Sequence, residues 1–173
     1  MALAAQVLLT APAWGQAMTL EQLNGKRITF SVSYITSGRN VHGEYTGAVS
    51  TTVGQIQISG DSVSGSATRT VTYQGRTVGS QSSNLSGVIG KPQTGTNGGN
   101  FVWLLQGNSL VELRTLKVGG IKITISFAGS GCSVRAPLMQ EVGAGETTVH
   151  SVFGGDGVVH SAKEVSSSCS AGG

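Results

Sequence analysis

The residues best equipped for chemistry are two histidines in a repeated triplet. His150 and His160 each sit in Val-His-Ser, ten residues apart, on either side of Gly154-Gly155-Asp156-Gly157. A hairpin centred on Gly155 sets the two imidazoles opposite each other, with their Cβ atoms about 5 Å apart. Imidazoles so placed ligate zinc or copper if His42 or Asp156 supplies a third donor. A turn centred on Gly155-Asp156 instead puts His150 opposite Ser161, and both histidines are then ordinary surface polar groups. The third ligand is not specified by the sequence, so no cofactor is expected.

Other chemistries are weaker still. Cys132 and Cys169 are the two cysteines of the chain. They lack the C-x-x-C spacing of redox and metal sites, and in an exported protein two thiols pair most simply with each other. That bridge would close a loop of about 36 residues, worth roughly 3–4 kcal/mol in the chain-entropy model, and would fasten the serine-rich carboxyl end to a strand. Serines abound, but no Gly-x-Ser-x-Gly elbow occurs. The eight acidic residues are spread too widely for the paired carboxylates of glycoside hydrolysis. The expectation is a non-enzymatic protein.

Three residues are candidate ligand contacts. Trp103 lies in the most apolar segment, where it is core by burial or, in a barrel mouth, a stacking platform for a small apolar ligand. Arg114 becomes an anion or ligand contact if it points inward. Tyr73 ends the apolar face of a neighbouring strand.

Composition narrows the elements that position these residues. Charged residues are 11% of the chain, against roughly 25% in ordinary soluble domains. In their place stand 27 glycines and many serines and threonines. Such a composition disfavours long helices and suits strands joined by tight turns. The net charge of +3 comes from scattered bases, without the basic stripe and interleaved aromatics of a nucleic-acid binder.

Residues 1–17 read as an export signal. Residues 3–9 are apolar but too few to span a bilayer, Pro12 ends any helix, and Gly15-Gln16-Ala17 offers a cleavage site, with Ala11-Pro12-Ala13 as the alternative. No Lys or Arg precedes the apolar run, which leaves the native start open. Residues 18–173 then form a single periplasmic or secreted β domain with no transmembrane span.

Thr19 caps one helical turn that Gly25 ends. Strand periodicity takes over from there. Ile28, Phe30, Val32 and Tyr34 share one face, with Thr29, Ser31 and Ser33 opposite. Residues 37–40 read as a turn or loop, 41–58 as a strand weak in its middle, and Gly60-Asp61 as a turn. Val63, Gly65, Ala67, Arg69, Val71 and Tyr73 share the next face, where Arg69 implies a partly wet surface or a strand end. Gly75-Arg76 turns the chain into a polar strand over 77–89, and 91–99 is a loop. Residues 101–106, 109–116 and 121–127 form a three-strand meander around the pairs Gly107-Asn108 and Gly119-Gly120. Residues 147–153 and 158–165 form a last hairpin. About eight to ten strands without crossover helices imply an all-β, antiparallel up-and-down meander in a closed or nearly closed barrel, with a two-sheet sandwich as the alternative.

The segment Asn100-Phe101-Val102-Trp103-Leu104-Leu105, with Leu113-Arg114-Thr115 and Cys132, resembles small uncharacterised exported proteins of Gram-negative bacteria. The resemblance covers roughly the last half of the chain and implies compartment only. Lipocalin-like and avidin-like barrels are a thinner analogy: Gly25-Lys26-Arg27 occupies the place of the lipocalin Gly-x-Trp, and the tryptophan is missing. Taken together, these readings point to an exported β-barrel domain that binds a small apolar ligand or a surface partner such as an envelope protein. A structural envelope component and a histidine metal-binding protein are the alternatives.

Overall fold

The computed structural model describes residues 17–89, 94–96, 101–115, 122–136, 147–149 and 157–173, excepting the side chains of 94–96, 115, 147–149 and 157. The described chain starts in a two-residue strand, β1 (Met18–Thr19), and one helical turn, α1 (Leu20–Leu23). Thr19 caps that turn as expected. Its hydroxyl accepts from the Gln22 amide and the Gln22 side chain accepts from the Thr19 amide, a reciprocal capping box. Leu23 is buried beneath it.

Four long strands follow: β2 (Arg27–Asn40), β3 (Gly43–Ser59), β4 (Ser62–Tyr73) and β5 (Arg76–Val88). Shorter ones come next: β6 (Thr94–Thr96), β7 (Phe101–Gln106), β8 (Ser109–Thr115), β9 (Thr124–Ala128), β10 (Gly131–Arg135) and β11 (Thr147–Val149). The last, β12 (Gly157–Gly172), is again long. All the pairings are antiparallel. The fold is all-β.

The strands fall into two sheets. The order in one is β11-β12-β2-β3-β4-β5; in the other it is β10-β9-β8-β7-β6, with β1 added on β8. One sheet is curled into a half-barrel. The sheets approach each other where β10 lies alongside β12, and the Cys132–Cys169 disulfide joins those two strands with Cα atoms 5.5 Å apart. The fold is thus all-β and antiparallel as expected, in two sheets of which one is a curled half-barrel.

A single apolar cluster fills the space between them. Ile28, Phe30, Val32, Ile56, Ile58, Val63 and Leu85 face it from the long strands, and Trp103, Leu113, Ile125 and Val134 form one row across β7, β8, β9 and β10. Large apolar side chains at every second position explain both the strand choice and the burial. Two glycines allow close packing here. A Cβ on Gly54 would sit 2.3 Å from the Phe30 ring, and one on Gly65 would sit 2.1 Å from the Gln55 carbonyl oxygen.

Several sequence expectations change. Residues 37–40 continue β2 instead of turning, because Gly38 lets β12 approach: a Cβ there would lie 2.0 Å from the Val158 carbonyl oxygen. The β4–β5 turn is Gln74-Gly75, not Gly75-Arg76, and both residues have positive φ. Arg69 is buried, neither wet nor at a strand end. The serine-rich carboxyl end is itself strand, paired along β2 as far as Gly172 with Arg27. Within the segment expected as a loop, Thr94–Thr96 is strand β6, held by its pairing with β7; the rest of 91–99, and residues 119–120, lie outside the described residues.

Candidate functional site

On the convex side of the long-stranded sheet, side chains that alternate with the core residues form a regular polar surface. Strand register aligns them in three rows across β12, β2, β3, β4 and β5. The first row is Ser168, Ser31, Val53, Thr68 and Ser82; the second is Ser170, Thr29, Gln55, Ser66 and Asn84; the third is Ser166, Ser33, Thr51, Thr70 and Ser80. Every position but Val53 is a hydroxyl or a carboxamide, and none carries a charge. None is buried. Neighbours across strands stand about 4.8 Å apart and successive rows about 6.7 Å apart, as sheet geometry requires.

Each row contains one hydroxyl pair close enough to bond: Thr68 with Ser82 at 2.8 Å, Thr29 with Ser170 at 2.7 Å, and Ser33 with Thr51 at 2.8 Å. A shallow groove of about 490 Å³ runs over the first two rows, lined by Thr29, Ser31, Val53, Gln55, Thr68 and Ser168 among others. Val53 is 54% exposed in it. Hydroxyls and amides both donate and accept, so this surface can exchange many hydrogen bonds with a neutral polar partner. Its serine and threonine hydroxyls have no imidazole, carboxylate or amine among the row residues to activate them.

The concave side holds a second polar group of residues. The Arg69 side chain is 3% exposed and donates from Nε to the Ser50 hydroxyl at 2.8 Å. Tyr34, Tyr45, Thr36 and Thr52 are buried on the same sheet. Thr36 donates to the Ala48 carbonyl at 3.4 Å, whereas the Thr52 hydroxyl has no hydrogen-bond partner. Burial pushes the Tyr34 phenol up from its ordinary value, and the nearby Arg69 guanidinium and Ser50 hydroxyl pull it partly back. Tyr45 is also raised by burial, opposed by the Thr36 hydroxyl beside it.

The residues singled out from sequence lie apart. Trp103 is 5% exposed, within the apolar cluster and opposite Leu113. Arg114 points outward, 2.8 Å from Glu112 through Nε, in a surface ion pair. Tyr73 packs half-buried at the end of β4. His150 lies outside the described residues. His160 sits at a bulge in β12, its Nε2 3.7 Å from a Glu44 carboxylate oxygen. The described hairpin pairs Thr147 with Val159 and Val149 with Gly157, a register different from either turn read off the sequence. His42, proposed as a third ligand, is an exposed turn residue whose amide donates to Asn40 Oδ1 at 2.7 Å. Among the described residues no three of His, Cys, Asp and Glu are grouped to hold a metal ion.

The hydroxyl rows escape motif reading because no residue in them is rare. Their signal is the polar half of the alternation: a serine or threonine at every outward position of β4 from Ser62 to Thr72, at 29, 31 and 33 of β2, and at 166, 168 and 170 of β12. A scan of protein-family models matches no family, and neither a curated protein nor a solved structure matches the chain.

Proposed function

We propose that this chain is an exported, non-enzymatic binding domain that attaches to a neutral, hydroxyl-rich surface partner, of which a polysaccharide is the simplest example. One observation carries the reading: three rows of uncharged hydroxyl and amide side chains over five strands, with the groove on top of them. A charged partner would leave ions unpaired against such a face, at a desolvation cost. No aromatic ring lies in the rows for a sugar to stack on, so single contacts are weak and an extended partner that engages several rows is favoured by multivalency. The position of the groove supports the surface-partner form over the apolar-ligand form, since Trp103 is committed to the core. The disulfide supports an oxidising compartment. Among the described residues, no helix is long and apolar enough to cross a membrane.

The test is retention on an insoluble neutral glucan and on an anionic polysaccharide, with wild type and the double variant S31K/T68K. Wild type should bind the neutral polymer with little change between low and high salt, because no ion pairs form. The double variant should lose about tenfold in affinity, roughly 1.4 kcal/mol. No retention of wild type, or equal retention of the variant, would refute the proposal.

A further inference from the structure

We infer that the free edge of β5 is a self-association surface, on which a second copy of this chain adds its own β5 antiparallel to the first. β5 ends its sheet, and among the described residues no strand pairs with its outer side. It is 13 residues long; at the opposite end of the sheet β11 pairs β12 over residues 157–159, and β10 lies against β12 at the Cys132–Cys169 disulfide. A long open edge presents unsatisfied backbone donors and acceptors in register, and monomeric proteins normally protect such edges with lysine, proline or inward charges. β5 has no lysine and no proline, and its one charge, Arg76, is at its first position. Ser80, Ser82, Asn84 and Ser86 are exposed along it.

A second copy fits this edge better than an unrelated strand would. An antiparallel strand can be its own complement about a two-fold axis. Centred on Ser82, the pairing sets Ser80 against Asn84, Gln81 against Ser83 and Arg76 against Val88, so no like charges meet. A β5–β5 pairing about a two-fold axis uses the β5 edge of both copies, and the association therefore closes at two copies instead of growing into a filament. The two hydroxyl faces would then run on as one surface of ten strands. The inference itself stands on the edge and not on what the rows bind.

Analytical ultracentrifugation of the full chain from micromolar to millimolar concentration tests it. Wild type is expected to move from monomer to dimer across that range. S80K/S82K/N84K and S80E/S82E/N84E place three like charges on the edge in any register, and each alone should dimerise at least tenfold more weakly. An equimolar mixture of the two should recover dimer. If either variant fails to fold by circular dichroism, S82C is used, and its thiols should cross-link two copies under mild oxidation. Wild type that stays monomeric throughout, a dimer that both variants leave intact, or the absence of an S82C cross-link would overturn the inference.

Discussion

Arg69 shows how a single side chain can shape the interior of a sheet protein. A guanidinium cannot shed its charge at any ordinary pH, so its burial requires polar neighbours, and Ser50, Tyr34 and Tyr45 stand around it. Replacing it with alanine should cost about 3 kcal/mol or more in urea unfolding, because Ser50 loses its partner and a large void opens. Tyr34→Phe should change stability by less than about 1 kcal/mol at pH 7, since the hydroxyl has no well-formed hydrogen bond to lose. The two substitutions separate again at high pH. Unfolded tyrosines ionise near their ordinary value of 10.0, while burial keeps the folded phenols protonated beyond it. The unfolded chain then binds fewer protons, so stability is level below about pH 10 and falls above it. Melting temperatures measured between pH 8 and 11.5 should show that fall, and Tyr34→Phe should make it shallower.

Among the elements, the β4–β5 hairpin carries a correctable flaw. Gln74 has φ of 50° and Gly75 of 74°, the two positive angles of a type I′ turn. Glutamine gains nothing from that conformation, whereas asparagine tolerates it through its short polar side chain. Gln74→Asn should raise the melting temperature by about 1–2 °C, an increment of roughly 0.5 kcal/mol. No gain, or a loss, would show that Gln74 has a compensating contact. The same hairpin sets the register of β5, and with it the alignment of Ser80, Ser82 and Asn84 in the outer rows.

At the scale of the whole molecule, the last strand pairs with the first long one. β12 closes on β2 as far as Gly172 with Arg27, and the disulfide ties β12 to the other sheet. These contacts are distant in sequence, so the ordering entropy is spent before they reward it and folding should be slow for the chain's size. Cys132 and Cys169 are 37 positions apart, and the chain-entropy model assigns their bridge about 3–4 kcal/mol. The C132A/C169A variant should lose that much in urea unfolding while keeping its far-ultraviolet spectrum. A loss under 1 kcal/mol would mean that the apolar cluster alone holds the sheets together.

The sequence by itself determined most of the strands with their apolar faces and the disulfide, but not β6 or β10. Those follow from local alternation: Ile28, Phe30, Val32 and Tyr34 face inward because residues two apart share a side, and Ile123, Ile125 and Phe127 do the same in the meander. The Thr19 cap and the Gly107-Asn108 turn were legible for the same reason, being encoded within a few neighbouring residues. Only the tertiary structure decided which strands neighbour one another. Ser166, Ser168 and Ser170 look like a polar tail until β2 pairs with them, because serine has little strand preference of its own and takes its conformation from its partner. Arg69 reads as a wet position until the surrounding strands enclose it. The candidate site has the same origin. A serine on one strand is unremarkable, and a hydroxyl surface exists only because register across five strands sets such residues side by side.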